Sequence, residues 1–218
     1  EEPGFPLLCL IASGGHTDLV LMREHGDYQT LGRTRDDAAG EAFDKVAYLL
    51  GLPYPGGPSI SSLAEEGDPT AIPFPRYRAK DGSIGFSFSG LKTALLNKAR
   101  EQGVAIGLDQ GRPEGLDAAG VERRNALAAG FQEAVVDVLV EKTMLAASRS
   151  GARCVMLGGG VACNTRLRTR FQEAAGEEGV PVYWPKPQLC TDNAAMIAGF
   201  GYHLCRKGQL ADLSIDGD

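Results

Sequence analysis

The stretch Leu7–Met22, "LLCLIASGGHTDLVLM", decides how this chain folds. Two apolar runs rich in Leu, Ile and Val are interrupted by Ser13, Gly14, Gly15, His16 and Thr17. The pattern predicts two antiparallel strands joined by a tight turn. Gly14 and Gly15 carry no Cβ, so another group can come close to the backbone amides there. Two readings stand for this corner. It is an ordinary hairpin, whose turn types themselves call for glycine, or a loop of bared N–H groups and hydroxyls that faces an anion such as phosphate.

Outward from that corner, Leu7–Ala12, Leu19–Arg23 and Tyr28–Arg33 read as strands. From Asp37 to Leu50 the residues Ala39, Phe43, Val46, Ala47 and Leu50 recur at helical spacing, with Asp36 and Asp37 as N-cap candidates and Gly51 as the stop. A proline- and glycine-rich stretch follows, with a short helix predicted from Ser89, and "GLDQGRPEGLDAAG" (residues 107–120) reads as a mobile loop. Leu127, Phe131, Val135, Val138, Leu139 and Leu145 mark a long amphipathic helix from Val121 to Arg149. The last third alternates: strand "RCVMLG", helix from Asn164, strand "VPVYW", helix from Thr191 to Arg206. This order predicts an α/β domain with a mixed sheet flanked by helices. Residues 1–52 and 121–218 form its two parts, and residues 53–120 form an inserted helical and loop subdomain.

Composition limits the function. The 218 residues are 43% hydrophobic, ample for a core, and no apolar run reaches the ~18 residues of a membrane span. A net charge of −6 disfavours a protein that coats nucleic acid unaided. Cys9, Cys154, Cys163, Cys190 and Cys205 form an odd, dispersed set without a CxxC pair, which points to reduced thiols in a cytoplasmic setting; Cys9 and Cys163 are expected to be buried and unreactive. The opening "EEPGFP" has no starting Met and reads as internal to a longer polypeptide.

A second glycine loop lies in "LGGGVACN", where a strand runs into Gly158, Gly159 and Gly160 before a helix opens near Asn164. Glycine loops meeting helix N-termini at strand ends hold nucleotides in many α/β domains. Alone, each loop is equally a tight strand-to-helix connection. Neither GxxxxGK[ST] nor GxGxxG is present. The loop reading predicts that a β-branched residue at Gly159 abolishes adenine-nucleotide binding and leaves the fold largely intact.

"SGGHT", "DDAAGEAFDKVAYLLGLPYPGGP", "FSFSGLKTA", "GGGVACN" and "CTDNAAMIAGFG" occur in that order. Together they resemble the TsaD family, which makes N6-threonylcarbamoyladenosine in tRNA. The resemblance implies the actin, sugar-kinase and Hsp70 (RNase H-like) type of fold, with this chain holding mainly the second of two lobes. It implies transfer of threonylcarbamoyl from threonylcarbamoyl-AMP to N6 of the adenine beside the anticodon of tRNAs reading ANN codons. TsaB-like and TsaE-like proteins are the implied partners. Ile11, Ala12, Ser13, Gly14 and Gly15 match a segment that binds threonylcarbamoyl-AMP or ATP, and Asp44, Gly57 and Asn164 match further substrate contacts. On residue pattern alone Asp44 is a solvated helix face, Gly57 a proline-glycine turn and Asn164 an N-cap. Where the family often has an acidic residue this chain has Ser61. Asp192 matches a metal ligand for one divalent ion per subunit, Fe²⁺ or alternatively Zn²⁺; taken alone it reads as the cap of the last helix. The family's HxxxH motif is absent, since the histidines are His16, His25 and His203, so the remaining metal ligands are expected outside this chain, which alone would be inactive.

Ala194, Ala195, Ala198, Gly199 and Gly201 make the last helix small-sided, fit to pack closely on a neighbour. "FPRYRAK" interleaves Arg76, Arg78 and Lys80 with Phe74 and Tyr77 and reads either as a tRNA contact or as a solvated loop. Two other functions share these features: a sugar- or acetate-kinase-like phosphotransferase, and a non-catalytic nucleotide-binding lobe that serves as a partner-binding module. A peptidase is disfavoured by the lack of HExxH or a Ser-His-Asp arrangement.

Overall fold

The computed structural model describes residues 3–104, 106–107 and 117–212. Most of the loop expected to be mobile, residues 107–120, lies outside the described residues. Strands β1 (Leu7–Ala12), β2 (Thr17–Glu24) and β3 (Asp27–Arg33) are followed by helices α1 (Ala39–Leu49), α2 (Gly56–Glu65), α3 (Ser89–Glu101) and α4 (Ala118–Ser150). Then come β4 (Cys154–Gly158), a 3-10 turn (Gly160–Cys163), α5 (Thr165–Glu178), β5 (Val182–Tyr183) and α6 (Ala194–Arg206).

The sheet has the order β3-β2-β1-β4-β5. β1 sits in the middle, antiparallel to β2 with Leu7 opposite Met22, and parallel to β4 with Ile11 opposite Gly158. Its Leu7, Leu8, Leu10 and Ala12 are buried, as a central strand of an α/β sheet requires. α4 crosses β1, β2 and β4 and packs on α2, α3 and α5. Its 33 residues are buried on most sides from Asn125 to Ala147, so the helix is the spine of the domain. The Asp117 carboxylate accepts from Gly120 N (2.7 Å) and starts it three residues before the expected Val121, and Gly151, at φ +66°, ends it. Phe131 at its centre meets Phe43 of α1 and Phe74 edge-to-face. Residues 53–120 were expected as an insertion; Ile60, Phe74, Phe86, Phe88, Leu91 and Leu95 from that stretch join the same core cluster as the sheet.

Two capping expectations are corrected. Asp36 and Asp37 do not cap α1, whose N-cap position is Ala38. Asp37 pairs with Lys45 (2.6 Å), and Asp36 reaches across the chain to accept from Phe88 N (2.8 Å), Ser89 N (3.2 Å), Ser87 Oγ (2.5 Å) and Ser89 Oγ (2.8 Å). α3 opens with Phe88 at its N-cap and no local side-chain cap, so a carboxylate 52 residues upstream of Phe88 satisfies the amides of Phe88 and Ser89. α6 begins at Ala194 rather than Thr191, and Asn193, not Asp192, is its cap, accepting from Met196 N.

α6 also lies at the periphery. None of its residues is buried, and a Cβ added at Gly199 or Gly201 would meet open space, so among the described residues its small side packs on nothing. It is held to the β2–β3 hairpin by stacking of His203 on His25 (3.5 Å between centroids), by Phe200 near Tyr28 and by Lys207 to Glu24 (2.6 Å). Met196, Ile197, Phe200 and Tyr202 stay exposed.

Candidate functional site

The site grows from the C-terminal ends of β1 and β4. Between β1 and β2 the Ser13 hydroxyl accepts from Gly15 N (3.3 Å) and His16 N (3.0 Å), and Ser13 N donates to the His16 carbonyl (2.8 Å). The corner is therefore a self-bonded hairpin turn, in which the Gly14 amide has no partner among the described residues. α1 abuts it end-on: Gly40 N donates to Ser13 O (3.0 Å) and Ala39 N to Thr17 Oγ1 (2.9 Å). A Cβ on Gly40 would lie 2.7 Å from Gly14 N, so only glycine lets the helix approach this closely. Sequence reasoning missed Gly40; a glycine within a helical repeat was the available signal.

The second loop locks onto the first. Gly159 has φ +85° and a Cβ there would stand 2.3 Å from the Ala12 carbonyl oxygen, so the expectation that a β-branched residue at 159 spares the fold is corrected. The 3-10 turn Gly160–Cys163 then delivers Asn164, whose Oδ1 accepts from Leu167 N (2.9 Å) and starts α5. Asn164 Nδ2 donates to Ser61 Oγ (2.9 Å) on α2 and to Gln132 Oε1 (2.8 Å) on α4, and Ser61 Oγ donates to the same Gln132 oxygen (2.9 Å). The N-cap reading of Asn164 holds, and its amide also ties three helices together. Gln132 was missed, and a single polar residue inside "AAGFQEAVV" carries no signal of such a role.

Asp44 is neither free nor merely solvated. Its Oδ1 accepts from Gly56 N (2.7 Å) at the first turn of α2, while its other oxygen has no partner among the described residues. Gly56 packs on Asp44 Cα and opens α2, and Gly57 is the second residue of that helix rather than part of a simple turn, facing open space. Thr191 lies 4.0 Å from where a Cβ of Gly160 would stand, which brings the exposed Asp192 to the rim of the same loops. Among the described residues no three His, Cys, Asp or Glu side chains converge to hold a metal ion; Asp192 fits one ligand position and not a whole site.

Two cysteine expectations part ways. Burial pushes the Cys9 thiol up to about 11, with Cys154 adding to it. Cys163 is exposed, contrary to expectation, although desolvation beside Cys190 still raises its thiol. In "FPRYRAK", Arg76 donates to Asp137 Oδ2 (2.8 and 3.1 Å) and to Phe74 O (2.7 Å), which leaves Arg78 and Lys80 as its more accessible charges. A groove of about 880 Å³ lies between Arg76, Arg78, Asp137, Glu141, Arg170 and Glu177, and none of the candidate site residues lines it. Its acidic and basic side chains largely neutralise one another.

Two interlocked glycine loops and helix N-termini at the ends of the parallel strands of an open α/β sheet are the arrangement outside which such domains commonly take a ligand. The fold is shared with the crystal structure of T. kodakarensis HypF: TM-score 0.52 at 18% identity, over 87% of this chain and 22% of that one. Residues 1–199 match the family model "TsaD: tRNA N6-adenosine threonylcarbamoyltransferase", and the chain belongs to that family. Curated relatives bearing the same name include those of Thermomicrobium roseum (53% identical over 99% of this chain and 60% of the relative), Symbiobacterium thermophilum (51%, 98% and 58%) and Moorella thermoacetica (49%, 98% and 59%). The chain thus spans about three fifths of the length of these relatives. No helix of the described residues is long and apolar enough to cross a membrane.

Proposed function

We propose that this chain is the acyl-adenylate-binding lobe, of the actin, sugar-kinase and Hsp70 type, of a cytoplasmic tRNA N6-adenosine threonylcarbamoyltransferase. The observation that carries the reading is the interlock of the two glycine loops, Gly159 against Ala12, with Asn164 and Ser61 joined at the same rim. Ile11–Gly15, Gly159 and the N-terminus of α5 would surround the phosphate of threonylcarbamoyl-AMP or ATP, where bared amides and a helix dipole favour an anion. The free oxygen of Asp44, the Gly57 amide and Asn164 would hold the rest of the nucleotide.

In the reaction, N6 of the tRNA adenine attacks the carbamoyl carbonyl, the new C–N bond forms, AMP leaves with the electron pair of the broken C–O bond, and the proton that N6 loses passes to solvent. Amides fixed around the leaving phosphate stabilise the charge that develops there. No covalent nucleophile is assigned. Asp192 is proposed as one ligand of a divalent ion, Fe²⁺ or Zn²⁺, whose site the described residues do not complete. tRNAs reading ANN codons and TsaB-like and TsaE-like proteins are the proposed partners.

The test is a titration of the uniformly ¹⁵N-labelled chain with AMP and ATP. Amide shifts at Gly14, Gly57, Gly159 and Asn164 are expected. Saturable binding that leaves all four unmoved, or no binding at millimolar nucleotide, would overturn the assignment.

A further inference from the structure

The cysteines are dispersed in sequence, yet the fold brings two of them together beside the second glycine loop. Cys163 closes the 3-10 turn Gly160–Cys163 and is exposed, whereas Cys190 directly follows the turn Pro187–Leu189 and is only 1% exposed. Both residues converge on one carbonyl. Cys163 Sγ donates to Pro187 O (3.9 Å), and Cys190 N donates to the same oxygen (3.1 Å). Arg168 spans the pair, with its Nε on Ala162 O (2.6 Å) and its Nη2 on Cys190 Sγ (3.8 Å). The thiols themselves meet: desolvation, and then a hydrogen bond with the Cys190 thiol, raise the Cys163 thiol.

Access divides the roles. A dissolved reagent reaches Cys163 first, while Cys190 Sγ is enclosed by Pro185 O (3.8 Å), Lys186 O (3.6 Å) and Arg168 and opens toward Cys163. Sulfurs already in contact can be joined by rotation of the exposed side chain, without a large backbone movement. Where other thiols stay reduced, a bond of this kind is transient and redox-sensing rather than structural.

We infer that Cys163 and Cys190 form a dithiol modification site, which low-molecular-weight disulfides oxidise to an internal disulfide. The Cys163 sulfur, its proton lost to solvent, attacks one sulfur of the reagent RS–SR. The reagent's S–S bond breaks, and one RS⁻ leaves and takes up a proton. The Cys190 sulfur then loses its proton and attacks Cys163 Sγ, and the second RS⁻ leaves and is protonated in turn. The chain thus gives up two hydrogens and two electrons, and the reagent becomes two thiols. The raised Cys163 thiol makes this exchange slow at neutral pH. The new bond joins the turn that delivers Asn164 to the one that runs into Asp192, so that rim is tied covalently in the oxidised chain and by weaker contacts in the reduced one. The inference does not depend on the adenylate reading.

The probe is glutathione disulfide. Cys205, exposed on α6, would take up a glutathione of its own, so the 218-residue chain is compared with Cys205→Ser, and Cys163→Ser and Cys190→Ala are each made in that background. The folded proteins are incubated overnight, denatured, alkylated with iodoacetamide and weighed intact. Cys205→Ser is expected to lose two alkylatable thiols without gaining glutathione, and to regain both with dithiothreitol. The parent should show the same loss plus one glutathione. Cys190→Ala should stop at one glutathione on Cys163. Cys163→Ser, a change at an exposed position where folding is not at risk, should keep every remaining thiol. Full alkylation of Cys205→Ser, a glutathione adduct there that never resolves, or a disulfide that persists in Cys163→Ser would each overturn the inference.

Discussion

Replacing Gly159 by alanine tests whether the two loops really interlock. At φ +85° and ψ 166° the residue occupies backbone that is close to glycine-only. The added Cβ would stand 2.3 Å from the oxygen and 2.7 Å from the carbon of the Ala12 carbonyl. Ala12 cannot retreat, because it ends the central strand and pairs with Thr17. Backbone strain costs about 1–3 kcal/mol and overpacking a further ~1–3 kcal/mol, so the expected loss is about 4 kcal/mol. For a chain of this size ~1 kcal/mol moves the melting temperature by roughly 2–4 °C, giving a fall of about 8–16 °C. Far-UV circular dichroism melts of Gly159→Ala, Gly14→Ala and the parent measure it. At Gly14 a Cβ meets nothing within 4 Å, so its variant should melt within about 2 °C of the parent. A Gly159→Ala protein that melts as the parent does would show that the loop is not seated on Ala12.

Asp36 should make α3 acid-sensitive. Burial works to raise its carboxyl, but hydrogen bonds from Ser87, Phe88 and Ser89 outweigh it and hold the group below the usual 3.8. Its stabilising effect, about 1 kcal/mol for a cap, is present above the unfolded value and disappears as pH falls through the lower folded one. Urea midpoints of the parent and Asp36→Asn should therefore differ at pH 5 and converge toward pH 2; a gap that stays constant sinks the idea. Arg76→Glu should cost about 2 kcal/mol by placing a carboxylate against Asp137, whereas Arg78→Glu, at an exposed ion pair, should cost no more than ~0.5 kcal/mol. Urea unfolding separates the two, and equal losses would mean that Arg76 is not anchored as described. If the segment touches RNA, the salt dependence of tRNA binding should then flatten in Arg78→Glu without loss of folding.

Much of this architecture is legible in local pattern. β1, α1, α4 and the strand at Cys154 follow from apolar period and flanking glycines, and the site segments can be read because glycine-rich corners are costly without a reason. What escapes is what depends on partners distant in sequence. Asp36 looks like the cap of the helix that follows it, and only the folded chain shows that it serves Phe88 and Ser89. Gln132 is invisible for the same reason: its partners, Ser61 and Asn164, lie 71 and 32 residues away. The small side of α6 was read as a packing face, yet periodicity says which side is small and not what covers it.

The parallel pairing of β1 with β4 has a consequence for biosynthesis. Cys154–Gly158, the neighbour of Leu7–Ala12 on one side, leaves the ribosome about 140 residues after it. At about 5–20 residues per second the nascent β1–β2 hairpin waits roughly 7–30 s with an apolar edge unpaired, and such edges template association with other chains. Translation stalled before Cys154 would thus release a polypeptide prone to coaggregation, and a trigger-factor-like holdase should bind ribosome-held chains ending near Ser150 far better than those that extend past Tyr183.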